Sequence, residues 1–200
     1  MKYIELLNKY DACRPAIGWL EDSNIRSIQE AWDKCERPDW LLWLNEKFDL
    51  FTHKQMRLMA CRFVRETPLA DGRTVWDLLT DERSRNAVIV AERYAHGEAS
   101  DTELTTARDA AWDGWAALAD SRDAALAAAL ADSREAAWDE WAAWFSASRD
   151  AALDAALDAL REAAFSDSRA ASRAANATQC DIIRSYTPDW TKFNHELDKM

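Results

Sequence analysis

Along residues 1–106 the apolar positions recur at three- and four-residue intervals, in runs parted by short polar or proline-bearing segments, which predicts a series of short helices. Residues 2–10 place Tyr3, Leu6, Leu7 and Tyr10 on one face. Pro15 stands where a helix can begin and leads into Ile17, Trp19 and Leu20. Ser23 or Asn24 can cap the following stretch, in which Ile25, Ile28 and Trp32 are spaced i, i+3, i+7. Pro38 then opens the most apolar run, and Asp39 beside it suits the positive end of a helix dipole. Trp40, Leu41, Leu44 and Phe48 form its stripe, flanked by Leu42 and Trp43. A helix apolar over more than half its circumference is expected at the centre of the core. Residues 52–65 read as the next helix, with Met56, Met59, Ala60 and Phe63 inward. Residues 67–74 read as a loop, Val75 to Leu79 and residues 81–95 as helical, and His96-Gly97 as a C-cap.

The pattern changes after residue 106. Residues 107–177 contain 29 alanines in 71 positions, and no Gly or Pro occurs from 115 to 187. Residues 107–132 align with 133–160 as a degenerate tandem repeat, in which Trp112 and Trp115 match Trp138 and Trp141 at an offset of 26. Alanine is the best helix former, so the region is expected to be helical. One rod of 70 residues would be about 105 Å long, and an offset of 26 residues would turn the two tryptophan stripes about 80° apart. Breaks near Asp120-Ser121, Asp132-Ser133 or 145–148 remove both difficulties, and 120–123 and 132–135 read as capping boxes. Two or three antiparallel helices are therefore expected, although alanine drift with no role beyond scaffolding accounts for much of the repeat. Thr187-Pro188 should end the last long helix, and Trp190 and Phe193 should pack the tail back onto the body.

These elements predict an all-α fold: a single helical domain with an Ala-rich antiparallel hairpin or extension. Its parts would be a compact N-terminal region, 1–106, and the repeated helices with the tail, 107–200, forming one cooperative domain. The chain of 200 residues is long enough for one well-buried core, and its low counts of Gly (4) and Pro (4) argue against a turn-rich β architecture. The formal net charge of -11 excludes sequence-independent binding to nucleic-acid phosphates or to anionic membranes. No segment reads as a signal peptide or a membrane span, and the four cysteines, Cys13, Cys35, Cys61 and Cys180, contain no C-x-x-C pair. Buried thiols in a reducing cytoplasm are the expectation.

No phosphate-binding glycine loop, nucleophile elbow or zinc-binding helix motif occurs, and His53, His96 and His195 are widely separated. Cys61 and His53, eight residues apart on one helix, would sit about 12 Å apart, too far to hydrogen-bond. The expectation is a protein that is not an enzyme, with no cofactor and no metal. Trp19, Trp32, Trp40 and Trp43 read as core. In the repeat, alanine offers little other bulk, so its tryptophans either anchor it to the body or form a binding surface, where Trp is a favoured hot-spot residue. Its carboxylates are either a solvated face paired with Arg108 and Arg134 or an acidic surface for a basic partner. The candidate partner-binding residues are Trp112, Asp113, Trp115, Trp138, Asp139, Glu140 and Trp141.

Three groups of residues carry a family resemblance. They are Cys13-Arg14-Pro15-Ala16 with Trp19-Leu20, then Ala31-Trp32 with residues 35–44, and a closing Gln179-Cys180-Asp181-Ile182-Ile183-Arg184 before Pro188. In this order, around a long Ala-rich middle, they resemble a family of immunity proteins of bacterial polymorphic toxin systems, also borne by phages. The sharpest element is Asp39-Trp40-Leu41-Leu42-Trp43-Leu44; Pro38 and Cys180 stand where the family pattern suggests Gly and Ala. The resemblance implies an all-helical, non-enzymatic binding protein that neutralises a toxin or a host defence effector. Acidity fits a basic protein partner, since opposite potentials speed association. Two alternatives stay open. One is a binder or sponge for an anionic nucleotide, using Arg108, Arg122, Arg134, Arg149 and Arg161. The other is a self-associating structural protein, such as a homodimer paired through 107–177.

Overall fold

A computed structural model of the protein describes residues 2–69, 71–121 and 169–200. The described residues are mostly helical, with no strand among them and one isolated bridge between Pro68 and Thr74. The fold is all-α. Among the described residues ten helices follow in order: α1 (Lys2–Lys9), α2 (Arg14–Asp22), α3 (Ile28–Lys34), α4 (Pro38–Phe48), α5 (His53–Glu66), α6 (Val75–Leu78), α7 (Glu82–His96), α8 (Asp101–Ser121), α9 (Arg169–Arg184) and α10 (Thr191–Asp198). The chain divides into two compact units, Met1–Thr52 with Asn176–Met200, and His53–Ala175. The change of composition at 106/107 falls inside α8, which runs across it, and residues 176–200 group with the N-terminal helices.

The first unit is an aromatic core. Pro38 starts α4 as its position predicts, and Asp49 ends it in the left-handed conformation, φ 51°. α4 buries Leu41, Leu42, Leu44 and Phe48. The ring of Phe48 meets Tyr10 and Phe193, each at 4.9 Å between centroids. Trp190 joins Phe193 at 5.7 Å and stands edge-on to Trp32 at 5.4 Å. Trp32 in turn packs on Phe51 at 5.9 Å. The tail therefore closes on the N-terminal helices, as expected of Trp190 and Phe193. α9 ends at Arg184, three residues short of Thr187-Pro188.

One cap differs from its expectation. Ser27, rather than Ser23 or Asn24, caps α3, accepting a hydrogen bond from the Glu30 amide at 3.1 Å. Ser23 instead closes α2, Asn24 adopts φ 52°, and Ile25 is fully buried in the turn. The apolar spacing is satisfied with Ile25 outside the helix. Tyr3 fixes that turn, its hydroxyl donating to the Ile25 carbonyl at 2.6 Å.

The second unit holds α5, α6, α7 and α8. α5 buries Met59, Ala60, Cys61, Phe63 and Val64, while Met56 is only half-buried. A capping box of Thr74 and Asp77 starts the short α6, and Asp81 caps α7. Gly97 ends α7 at φ 79°, the conformation for which the residue is suited. α7 and α8 pack through small side chains: Ala87, Val90 and Ala107 are buried together, with Ala99, Leu104 and Ala111 against them. Arg65 on α5 reaches Glu92 on α7 through two hydrogen bonds of 2.6 and 2.9 Å, and lies 3.8 Å from the Trp76 ring. α8 is helical through Asp120 to Ser121; the other expected breaks, at 132–133 and 145–148, lie outside the described residues.

Candidate functional site

The three groups of residues that carry the family resemblance all fall in the first unit. Arg184, from the closing group, ties two of them together. Its Nε donates to the Trp32 carbonyl at 3.0 Å and its Nη2 donates to the Cys35 carbonyl. These carbonyls lie at the C-terminal end of α3, where the helix leaves acceptors unpaired and its dipole favours a cation. A planar guanidinium can bridge both, which an ammonium at one point cannot.

With α3 held in this way, the first unit keeps an apolar groove. Its lining comes from α1 (Leu7), the following turn (Ala12), α2 (Ala16, Trp19, Leu20), α3 (Ile28, Ala31), Cys35, and α4 (Trp40, Leu41, Trp43, Leu44). The cavity is about 40 Å³, room for roughly three water-sized groups. The leucines, Ile28, Ala31 and Cys35 are its buried floor. Trp19, Trp40 and Trp43 are half-buried, as are Ala12 and Ala16, and they form its open side. The expectation that Trp19, Trp32, Trp40 and Trp43 are all core holds for Trp32 alone. α4 is apolar over more than half its circumference, and at Trp40 and Trp43 one side of so wide a stripe stays only partly covered.

Cations of the chain itself lie over two of these rings. The Arg37 guanidinium is 4.8 Å from the centre of Trp40, and the Lys47 ammonium 6.0 Å from that of Trp43. Each is paired with a neighbouring carboxylate: Arg37 with Asp39 at 2.6 Å, Lys47 with Glu46 at 2.8 Å. Trp19 tilts against Trp40 at 5.8 Å.

Of the four thiols, Cys35, Cys61 and Cys180 are buried and Cys13 is exposed, a correction to the expectation that all four are core. Cys13 stands at the N-cap of α2, in the exposed turn between α1 and α2, where its side chain makes no capping hydrogen bond. Burial pushes the Cys35 thiol up and that of Cys180 up to about 12, so both stay protonated and unreactive at neutral pH. His53, His96 and His195 are exposed. Among the described residues no three His, Cys, Asp or Glu side chains are placed to hold a metal ion.

Of the residues expected to meet a partner, Trp112 is 58% exposed on α8. Asp113 and Trp115 follow on the same helix, with side chains outside the described residues. Trp138, Asp139, Glu140 and Trp141 also lie outside the described residues. Arg108, one of the five arginines considered for a nucleotide, pairs with Asp109 at 2.6 Å; the other four lie outside the described residues. The groove was missed in the sequence because its tryptophans share helical spacing with core residues. The available signal was the width of the apolar surface of α4, where Leu42 and Trp43 flank the stripe of Trp40, Leu41, Leu44 and Phe48 and more apolar surface is offered than one set of neighbours covers.

Compared with known families, curated proteins and solved structures, the chain finds no match.

Proposed function

We propose that this chain is a non-catalytic binding protein that neutralises a toxin or a host defence effector by occupying it. The observation that supports the reading is the groove of the first unit. Residues of the family-like segments, including Trp19, Cys35, Trp40 and Trp43, converge on it, and three tryptophans are left partly open to solvent there. Half-exposed Trp around an apolar floor is the composition of an interface hot spot. A cavity of about 40 Å³ accepts one side chain of a partner and is too small to enclose a nucleotide. Trp112, 58% exposed on α8, is a second candidate contact.

Native mass spectrometry of the protein, gently purified from its own host, tests this reading. A stoichiometric second polypeptide is expected, and co-expression of the two should relieve the toxicity of that polypeptide alone. A bare monomer, or an added mass of only a few hundred daltons, would overturn it.

A further inference from the structure

Resting on the reading of the groove as the docking site, we infer that Arg184 is its positioning residue. Arg184 lines no part of the groove, yet through Cys35 and Arg37 it sets where the Trp40 ring stands in the groove wall.

The contacts run without a break from α9 to that wall. The Arg184 guanidinium holds the Trp32 and Cys35 carbonyls. Cys35 is the C-cap of α3 and part of the buried groove floor. Its thiol makes the next link: Sγ donates to the Arg37 carbonyl and accepts from the Arg37 amide, both at 3.4 Å. Arg37 is in turn the N-cap of α4. Its guanidinium lies 4.8 Å from the centre of the Trp40 ring, steadied on Asp39 by two hydrogen bonds of 2.9 and 2.6 Å. The turn 35–37 therefore joins the two halves of the groove, α3 with Ile28 and Ala31 and α4 with Trp40 and Trp43. A change in that turn changes the spacing between floor and wall. The Asp181 carboxylate, 3.9 Å away on the same helix, is too distant to hydrogen-bond with Arg184. A planar fork on two carbonyls, more than its charge, thus defines the place of Arg184. The closing segment of the chain governs in this way the shape of a groove lined entirely by residues between 7 and 44.

Fluorine NMR of the full chain labelled with fluorotryptophan tests the inference, with xenon as the groove probe, since small apolar cavities take up xenon. In the unaltered chain xenon should shift the Trp40 and Trp43 resonances. Arg184→Ala should displace the Trp40 resonance and abolish its xenon shift. Arg184→Lys keeps the charge but gives up one carbonyl, and should displace Trp40 and weaken the shift. Ala107→Leu, a lesion in the α7–α8 seam, should leave both unchanged, so that loss of stability alone is not mistaken for the effect. A Trp40 resonance and xenon shift unaltered in Arg184→Ala overturn the role of Arg184 and leave the groove standing. Should Arg184→Ala unfold the chain, an unaltered Trp40 in Arg184→Lys overturns it equally. No xenon shift in the unaltered chain overturns the groove itself.

Discussion

The two compact units differ in how their helices are joined. The first packs large aromatic rings, Tyr10, Phe48, Phe193, Trp190, Trp32 and Phe51, each touching the next. Its pieces come from both ends of the chain: Arg184 bonds to Trp32 across 152 positions. The second joins consecutive helices: its α7–α8 seam uses small side chains, Ala87, Val90 and Ala107, α5 buries Met59 and Phe63, and Arg65 joins α5 to α7 at the surface. Large rings fill volume with few residues but leave gaps where their outlines disagree, which is how a groove arises beside the α4 core. Small side chains let the α7 and α8 backbones approach closely. The groove thus lies in the aromatic unit, and the α7–α8 seam of the second unit is closed by small side chains.

Removing a ring should separate the two most. Phe48→Ala deletes a fully buried ring between Tyr10 and Phe193 and should cost about 3–5 kcal/mol in guanidinium unfolding. Hydrogen exchange would show where the loss falls. Faster exchange confined to α1, α4 and α10 supports two units of separate stability; equal loss in α7 would show that they unfold as one.

Arg184→Ala comes next. It strands the Trp32 and Cys35 carbonyls at the end of α3 and should cost about 2–3 kcal/mol. Arg184→Lys should recover less than half of that, since an ammonium cannot serve both carbonyls in the plane of a guanidinium. Full recovery would reduce the residue to its charge.

The second unit should respond to added rather than lost volume. Ala107→Leu forces three additional heavy atoms into the α7–α8 seam, where Ala107 is 4% exposed, and should cost about 1–3 kcal/mol. A neutral or stabilising result would mean that the seam has room, and would erase the contrast with the first unit.

The smallest effect is chemical. A disulfide-exchange reagent at pH 8 should titrate Cys13 at once, and Cys35, Cys61 and Cys180 only on unfolding. Early reaction of Cys35 would show that the groove floor opens to solvent.

Local chemistry was well written in the chain. Pro38, Gly97 and the spacing of Leu41, Leu44 and Phe48 determined where α4 begins, where α7 ends and which face of α4 is buried, because caps and amphipathic stripes depend on near neighbours alone. The same locality misled at Ser23 and Asn24. Either can cap a helix, and only the burial of Ile25 beneath Tyr3 passes the role to Ser27. The candidate site was legible only in part: Trp112 stands exposed on α8, whereas Trp19, Trp40 and Trp43 read as core and line a groove.

By itself, then, the sequence determined an all-α protein, its main helix boundaries, its acidity and the residues available for a core. Only the tertiary structure decided which of those residues meet water. A helical stripe records that a side chain is apolar, but its burial depends on partners distant in the chain, here Trp190, Phe193 and Arg184 arriving beside Trp32 and Phe48. That long-range closure has no local signature, and the groove beside it is what the arriving segments leave uncovered.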